Sequence, residues 1–254
     1  MPRVGQTLSA LAIFVFAVFL LIIGMGLISK QDLLPIKDDE NLVYGIYSGG
    51  ERMGELKLWV EGRETVDNVE CFVVRYSIYI PNDDRARSGV MKFDSRGTLR
   101  RVRIAEAEQN VLKWATEIGY FKQGLMRVVV EDNRIPEAFS EKDETILTPP
   151  DATVGEYVWY LIRFDDVGEG YSRRFGMSLM PDATTIVSSR ISVSGEENVE
   201  SPAGTFECWA MEGENTESVP WPVDRMWVSK KDGIVIKASE LIGGGETTYL
   251  LERA

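Results

Sequence analysis

The 254-residue chain contains no histidine and two cysteines. Without histidine, Ser-His-Asp and Cys-His catalysis are excluded, and so is a metal site built on imidazole. Two cysteines without C-x-x-C spacing exclude a structural zinc site and a thioredoxin-like motif. Walker loops, G-x-G-x-x-G, G-x-S-x-G and S-x-x-K are all missing. Positive charge is scarce too: 28 Lys and Arg stand against 40 Asp and Glu, for a net charge of −12. Such a surface repels phosphate backbones, so nucleic acid is not an expected partner. With these chemistries excluded, the expectation is no enzyme activity, no catalytic residue, no metal and no cofactor.

Only one long hydrophobic run is present. Leu8 to Ile28 holds 21 residues without a charge. At about 1.5 Å per residue a helix of that length spans about 30 Å, the thickness of a bilayer core. The apolar region of a cleaved signal peptide is shorter, about 7–15 residues. The run is therefore read as an N-terminal transmembrane helix, a signal anchor. A short N-terminal tail costs little to leave inside, so the large C-terminal domain is expected outside the cytoplasm at the cell membrane. The expected organisation is 1–29 stub and anchor, 30–40 connector, 41–148 first β unit and 149–254 second β unit.

Beyond the connector, apolar and polar residues alternate with period 2. Examples are Leu56 to Val60, Phe72 to Ile80, Leu99 to Ile104, Leu125 to Val130 and Ile186 to Val193. These segments are rich in Val, Ile, Tyr, Trp and Phe, as strands are. Asp94-Ser95-Arg96-Gly97, Lys230-Lys231-Asp232-Gly233 and Gly243-Gly244-Gly245 read as hairpin turns. One segment departs from the pattern. Residues 155–164 after Pro149-Pro150 read as a short helix, with Asp151 or Thr153 near its start; being apolar on most sides, the segment also fits a buried strand.

The chain repeats itself. Val60-Glu61-Gly62-Arg63-Glu64-Thr65-Val66 matches Val193-Ser194-Gly195-Glu196-Glu197-Asn198-Val199, and Glu70-Cys71-Phe72 matches Glu207-Cys208-Trp209. Cys71 lies 26 residues before Gly97 and Cys208 lies 25 before Gly233. Each copy reads as strand, turn, strand and a later hairpin. Gly62 and Gly195 are assigned to the turn, and Val60, Val66 and Phe72 to core-facing positions. The architecture that follows is mainly β and antiparallel, two related units with a short helix. Two readings stay open for the cysteines. Cys71 and Cys208 form one disulfide closing a long loop, or both are small buried thiols.

Val199-Glu200-Ser201-Pro202-Ala203-Gly204-Thr205-Phe206-Glu207-Cys208 resembles the V-x-(S/T)-P-A-G-T-F-(D/E)-C signature of an uncharacterised family of extracytoplasmic domains. A trailing Trp227 to Lys237 and a short aromatic helix at Tyr157 to Arg163 also resemble that family, which is itself similar to lipoprotein carriers and receptors of the LolA/LolB type. The resemblance implies a curved antiparallel sheet, a half barrel, closed by helices over an apolar cavity, and implies no catalytic residue. On that fold the short helix caps the half barrel, so Trp159, Tyr160 and Arg163 are the expected ligand contacts, with Arg163 free to meet an anionic headgroup. The expected function is a membrane-anchored extracytoplasmic binding module for a hydrophobic ligand or lipid-modified partner. The alternative is a structural or interaction subunit of a cell-envelope complex with no ligand cavity. Six tryptophans, Trp59, Trp114, Trp159, Trp209, Trp221 and Trp227, either line such a cavity or pack the sheet. The acid pairs Asp83-Asp84 and Asp165-Asp166 read as solvated surface, and the loop 165–170 as at best a weak calcium site.

Overall fold

The computed structural model describes residues 36–121, 124–134, 141–149, 151–215, 224–242 and 245–254. The Leu8–Ile28 run, Pro150, Trp221 and Gly243-Gly244 lie outside the described residues. Among those described, no helix is long and apolar enough to cross a membrane.

The alternating segments form fifteen strands of one continuous sheet. The 41–148 half supplies β1 (Asn41–Ser48), β2 (Glu51–Val66), β3 (Val69–Ile80), β4 (Arg85–Asp94), β5 (Leu99–Glu108), β6 (Val111–Phe121), β7 (Leu125–Asp132) and β8 (Glu141–Leu147). The 149–254 half supplies β9 (Thr153–Val154), β10 (Ser172–Ser178), β11 (Ile186–Ser201), β12 (Gly204–Asn215), β13 (Arg225–Ser229), β14 (Val235–Ile242) and β15 (Gly245–Arg253). The spatial order is β8-β7-β6-β5-β4-β3-β2-β1-β15-β14-β13-β12-β11-β10-β9. Neighbours pair antiparallel, except β9 and β10, which pair parallel.

This order forces the sheet to curl. Laid flat, fifteen strands would place β8 and β9 about 65 Å apart. Only residues 148–152 join them, a reach of about 20 Å. The two ends of the sheet are therefore brought near one another, and side chains of β6 and β8 reach the loop between β10 and β11. Thr116 Oγ1 donates to the Pro181 carbonyl at 2.5 Å, and Lys142 Nζ donates to Asp182 at 2.8 Å. No β8–β9 ladder forms, so the sheet is open and curved. Edge strand β8 begins Glu-Lys-Asp-Glu, and such charges discourage pairing with another chain.

The repeat is structural. Each unit carries a bulge at the same place, between Val60 and Gly62 on β2 and between Val193 and Gly195 on β11. Glu64 lies opposite Cys71, and Glu197 opposite Cys208. The glycines thus sit within strands and not at turns. The chain reverses later, through Asp67-Asn68 at φ 49° and 63° in the first unit and through Pro202-Ala203 in the second. The turn assignment failed because a glycine inside a strand pattern marks a bulge as readily as a turn. The extra residue also reverses the alternation. Val60 and Phe72 join the central apolar cluster. Val66, though 5% exposed, falls on the other face of β2. Both cysteines are buried free thiols on β3 and β12, six places apart in the sheet. The bridge is not formed, and the buried-filler reading stands.

The segment 155–164 is helical: a 3-10 turn Gly155–Tyr157, α1 (Val158–Leu161) and a second 3-10 turn Ile162–Phe164. No side chain caps it, and Thr153 belongs to β9. A helix this short is marginal alone, so burial must hold it. Val158, Trp159, Tyr160, Leu161 and Ile162 are all buried. The segment packs on the inner face of the curled sheet, between equivalent turns of the two units. Phe164 lies where a Cβ on Gly97 would come within 2.6 Å of its ring, and Arg163 lies 3.6 Å from the same position on Gly233. Gly97 also has φ +74°, so the turn needs glycine on both counts. Tyr157 donates to the Gly97 carbonyl at 2.6 Å.

Asp94 holds that turn. Its Oδ1 accepts from the backbone of Arg96 and Thr98, each at 3.0 Å, and its Oδ2 accepts from Arg100 Nη2 at 2.7 Å. Burial pushes its carboxyl up, but the Arg100 hydrogen bond and the two backbone donors outweigh burial and hold it below the ordinary value. A depressed carboxylate stabilises the fold above its unfolded value, near pH 4, and loses that contribution as pH falls through the folded value. Asp94→Asn is therefore expected to be less stable than the parent at pH 7. The gap should narrow below about pH 4 in urea titrations; a gap independent of pH would contradict the assignment.

Candidate functional site

The expected ligand contacts Trp159, Tyr160 and Arg163 are brought together on the inner face, where they are interior packing. The Trp159 ring meets Tyr44 edge-on at 5.0 Å and Tyr249 at 5.6 Å. Tyr160 lies 5.8 Å from Phe93, is 1% exposed, and its hydroxyl has no partner among the described residues. Arg163 donates from Nη1 and Nη2 to the two oxygens of Glu40 at 2.6 and 2.7 Å. Their side chains are 3% and 6% exposed. Burial alone pulls the guanidinium down, but the Glu40 hydrogen bonds and charge outweigh it and raise it above its ordinary value. Arg163 is thus matched within the chain to a carboxylate just ahead of β1, a pairing across 123 residues that local pattern could not reveal.

The acid pairs also find ordinary roles. Asp165 accepts from Arg173 at 2.7 Å, and Asp84 takes a left-handed turn position at φ 45°. Among the described residues no group of three acids or thiols is arranged to hold a metal ion.

The open space lies on the other face. Strand β11 approaches β14 and β15 as well as its ladder partner β12. The far end of the β11–β12 hairpin therefore folds over the outer face of β13–β15. Beneath it is a groove of about 720 Å³, within the usual range of ligand sites. Glu197 to Glu200 form the roof; Trp227, Lys237, Thr248 and Leu250 form the floor; the Gly49-Gly50 turn and Gly245 mark one end. Leu250 faces Lys237 across the ladder and alternates with Tyr249, whose ring is on the inner face, which places the groove outside. Trp227 is 5% exposed. It donates from Nε1 to Glu197 at 2.8 Å, and Arg225 and Lys237 lie 4.8 and 4.5 Å from its ring centre.

The chain has a β-barrel-like fold. A β-barrel-like protein of the domain of unknown function DUF1849 from Brucella abortus matches it with a TM-score of 0.53 and 11% identity, covering 86% of this chain and 98% of that one. A Bacteroides fragilis protein with a YmcC-like fold matches with a TM-score of 0.38 and 10% identity, over 87% and 97%. At such identity the first likeness is one of fold alone. No family model matches the chain, and no curated protein matches it.

Glu197 to Glu200, Trp227 and Lys237 are marked in the sequence by the repeat and the signature, but nothing there assigns them to a groove. The nearest signal was the second Glu of each V-x-G-x-E-x-V copy. Glu64 and Glu197 sit opposite the repeated cysteines and both accept from β4 or β13, Glu64 from Lys92 Nζ at 2.7 and 2.8 Å.

The cysteines do no chemistry in this setting. Burial pushes the Cys208 thiol up to about 11, helped by the Asp232 and Glu197 carboxylates, and burial likewise raises Cys71. A thiol must ionise to react. Neither is expected to react with a disulfide reagent at pH 8 in the folded chain, and both should react in urea. Rapid labelling of native Cys208 would contradict its burial.

Proposed function

We propose that the chain is an extracytoplasmic binding module that carries partners on its outer surface: an interaction subunit of a cell-envelope complex, held at the membrane by its Leu8–Ile28 segment. The supporting observation is that the helical segment 155–164 packs its apolar side chains against the inner face of the sheet. Trp159 and Tyr160 close on Tyr44, Tyr249 and Phe93, and Arg163 is matched by Glu40. A carrier of the LolA/LolB type needs that space for its apolar cargo. Here the space holds side chains, and the groove opens outward. This reading assigns the chain no catalysis. The test is native mass spectrometry of the full chain extracted in detergent, with cross-linking of intact cell envelopes. The expected result is a chain free of stoichiometric lipid and cross-linked to a protein through its outer face. A retained acyl lipid at one copy per chain would restore the carrier reading.

A further inference from the structure

The two units offer an internal comparison. Lys92 pairs with Arg101 across β4–β5, and Trp227 pairs with Lys237 across β13–β14. Both pairs lie beneath the repeated glutamate of their own unit. In the first unit that glutamate, Glu64, is neutralised by Lys92, and Arg101 adds a second cation. In the second unit Glu197 meets the neutral indole N–H of Trp227 and only one edge of Arg225, at 3.3 Å. Each locus thus sets one glutamate beside two cations, and the second-unit groove becomes acidic through two further carboxylates, Glu200 and Glu246.

We propose that this outer groove is a docking slot for an extended basic segment of a partner protein, with an apolar residue between its cations. The proposal deepens the interaction reading above and rests on it. Charge complementarity selects the occupant. Glu197, Glu200 and Glu246 line the groove against Lys237, and Arg225 pairs with Glu197 beside it, so three carboxylates face two cations. Glu200 and Glu246 are exposed, and the chain as a whole carries −12. Shape agrees with this. Val199 in the roof and Leu250 in the floor give an apolar side chain a place between the carboxylates. Gly49, Gly50 and Gly245 add no side chains of their own to the lining. Trp227 is buried and has two cations on its ring, so it offers no open ring for a sugar to stack on.

The test uses the full chain in detergent and two synthetic peptides, Lys-Leu-Arg-Leu-Lys and Glu-Leu-Glu-Leu-Glu, followed by calorimetry. The basic peptide is expected to bind one to one, more weakly in about 0.5 M salt, and the acidic peptide not to bind. Glu200→Gln with Glu246→Gln touches two exposed side chains and should weaken the basic peptide about fivefold. Arg101→Gln, at the first-unit locus, should leave it unchanged. Equal binding of both peptides, no saturable binding, or a loss under about twofold in the double variant would overturn the slot. Those outcomes with a lipid-free interior would remove the slot alone. A lipid-filled interior would remove the interaction reading while leaving the peptide result standing.

Discussion

Arg163→Ala is expected to lower the stability of the chain by about 3–5 kcal/mol, because it leaves the Glu40 carboxylate buried without its partner. The pair is bidentate at 2.6 and 2.7 Å, and its side chains are 3% and 6% exposed, so water cannot replace the lost guanidinium. It also ties the segment 155–164 to the start of β1, where the Glu40 carbonyl accepts from the Val60 N–H at 2.9 Å. Losing the pair should therefore loosen the inner packing as a unit. A buried ion pair is not stabilising merely by being an ion pair, since desolvation offsets much of its attraction. Glu40→Leu with Arg163→Met is thus expected to recover most of the loss. Urea unfolding followed by tryptophan fluorescence measures both variants. A single-variant loss under about 1 kcal/mol, or a double variant no better than the single, would show that the pair is hydrated in solution.

Phe93→Ala should cost a similar amount, about 3–5 kcal/mol, through lost burial and the cavity left behind. Phe93 is fully buried. Its ring touches Phe72 at 5.8 Å, Tyr157 at 5.1 Å, Tyr160 at 5.8 Å and Phe164 at 5.6 Å. The first contact is within the sheet; the other three are to the helical segment. One side chain therefore joins the first unit to the element that fills the concavity. Rings packed on several sides leave little room for collapse, which puts the cost toward the upper end. Tyr79→Ala is the control: that ring is 47% exposed and should change stability by about 0.5 kcal/mol or less. Equal effects of the two substitutions would mean that the segment is not docked as described.

The strands were legible because each buries one face, and alternation is the direct record of that geometry. Phe72 to Ile80, Leu99 to Ile104 and Ile186 to Val193 all lie within strands. The hairpin turns ending at Gly97 and Gly233 were legible for a related reason, since both glycines take positive φ. Gly62 and Gly195 were misplaced into turns because a bulge and a turn make the same local demand on a chain. The packing of residues 155–164 was hidden for a different reason. Val158, Trp159, Tyr160 and Ile162 would line an empty cavity or fill it with the same composition. The contacts they make with Tyr44, Phe93 and Tyr249, brought from three other strands, appear only in the tertiary structure.

Composition and pattern alone determined that this chain is mainly β, acidic, duplicated and without histidine chemistry, because those properties are written in single residues and in near neighbours. The tertiary structure decided the rest. It curled one sheet until β6 and β8 reached the loop between β10 and β11, matched Arg163 to Glu40, and turned the β11–β12 hairpin over Trp227 to make a groove. Each of these depends on residues far apart in sequence being brought within a few ångströms, and nothing in a local window carries that distance.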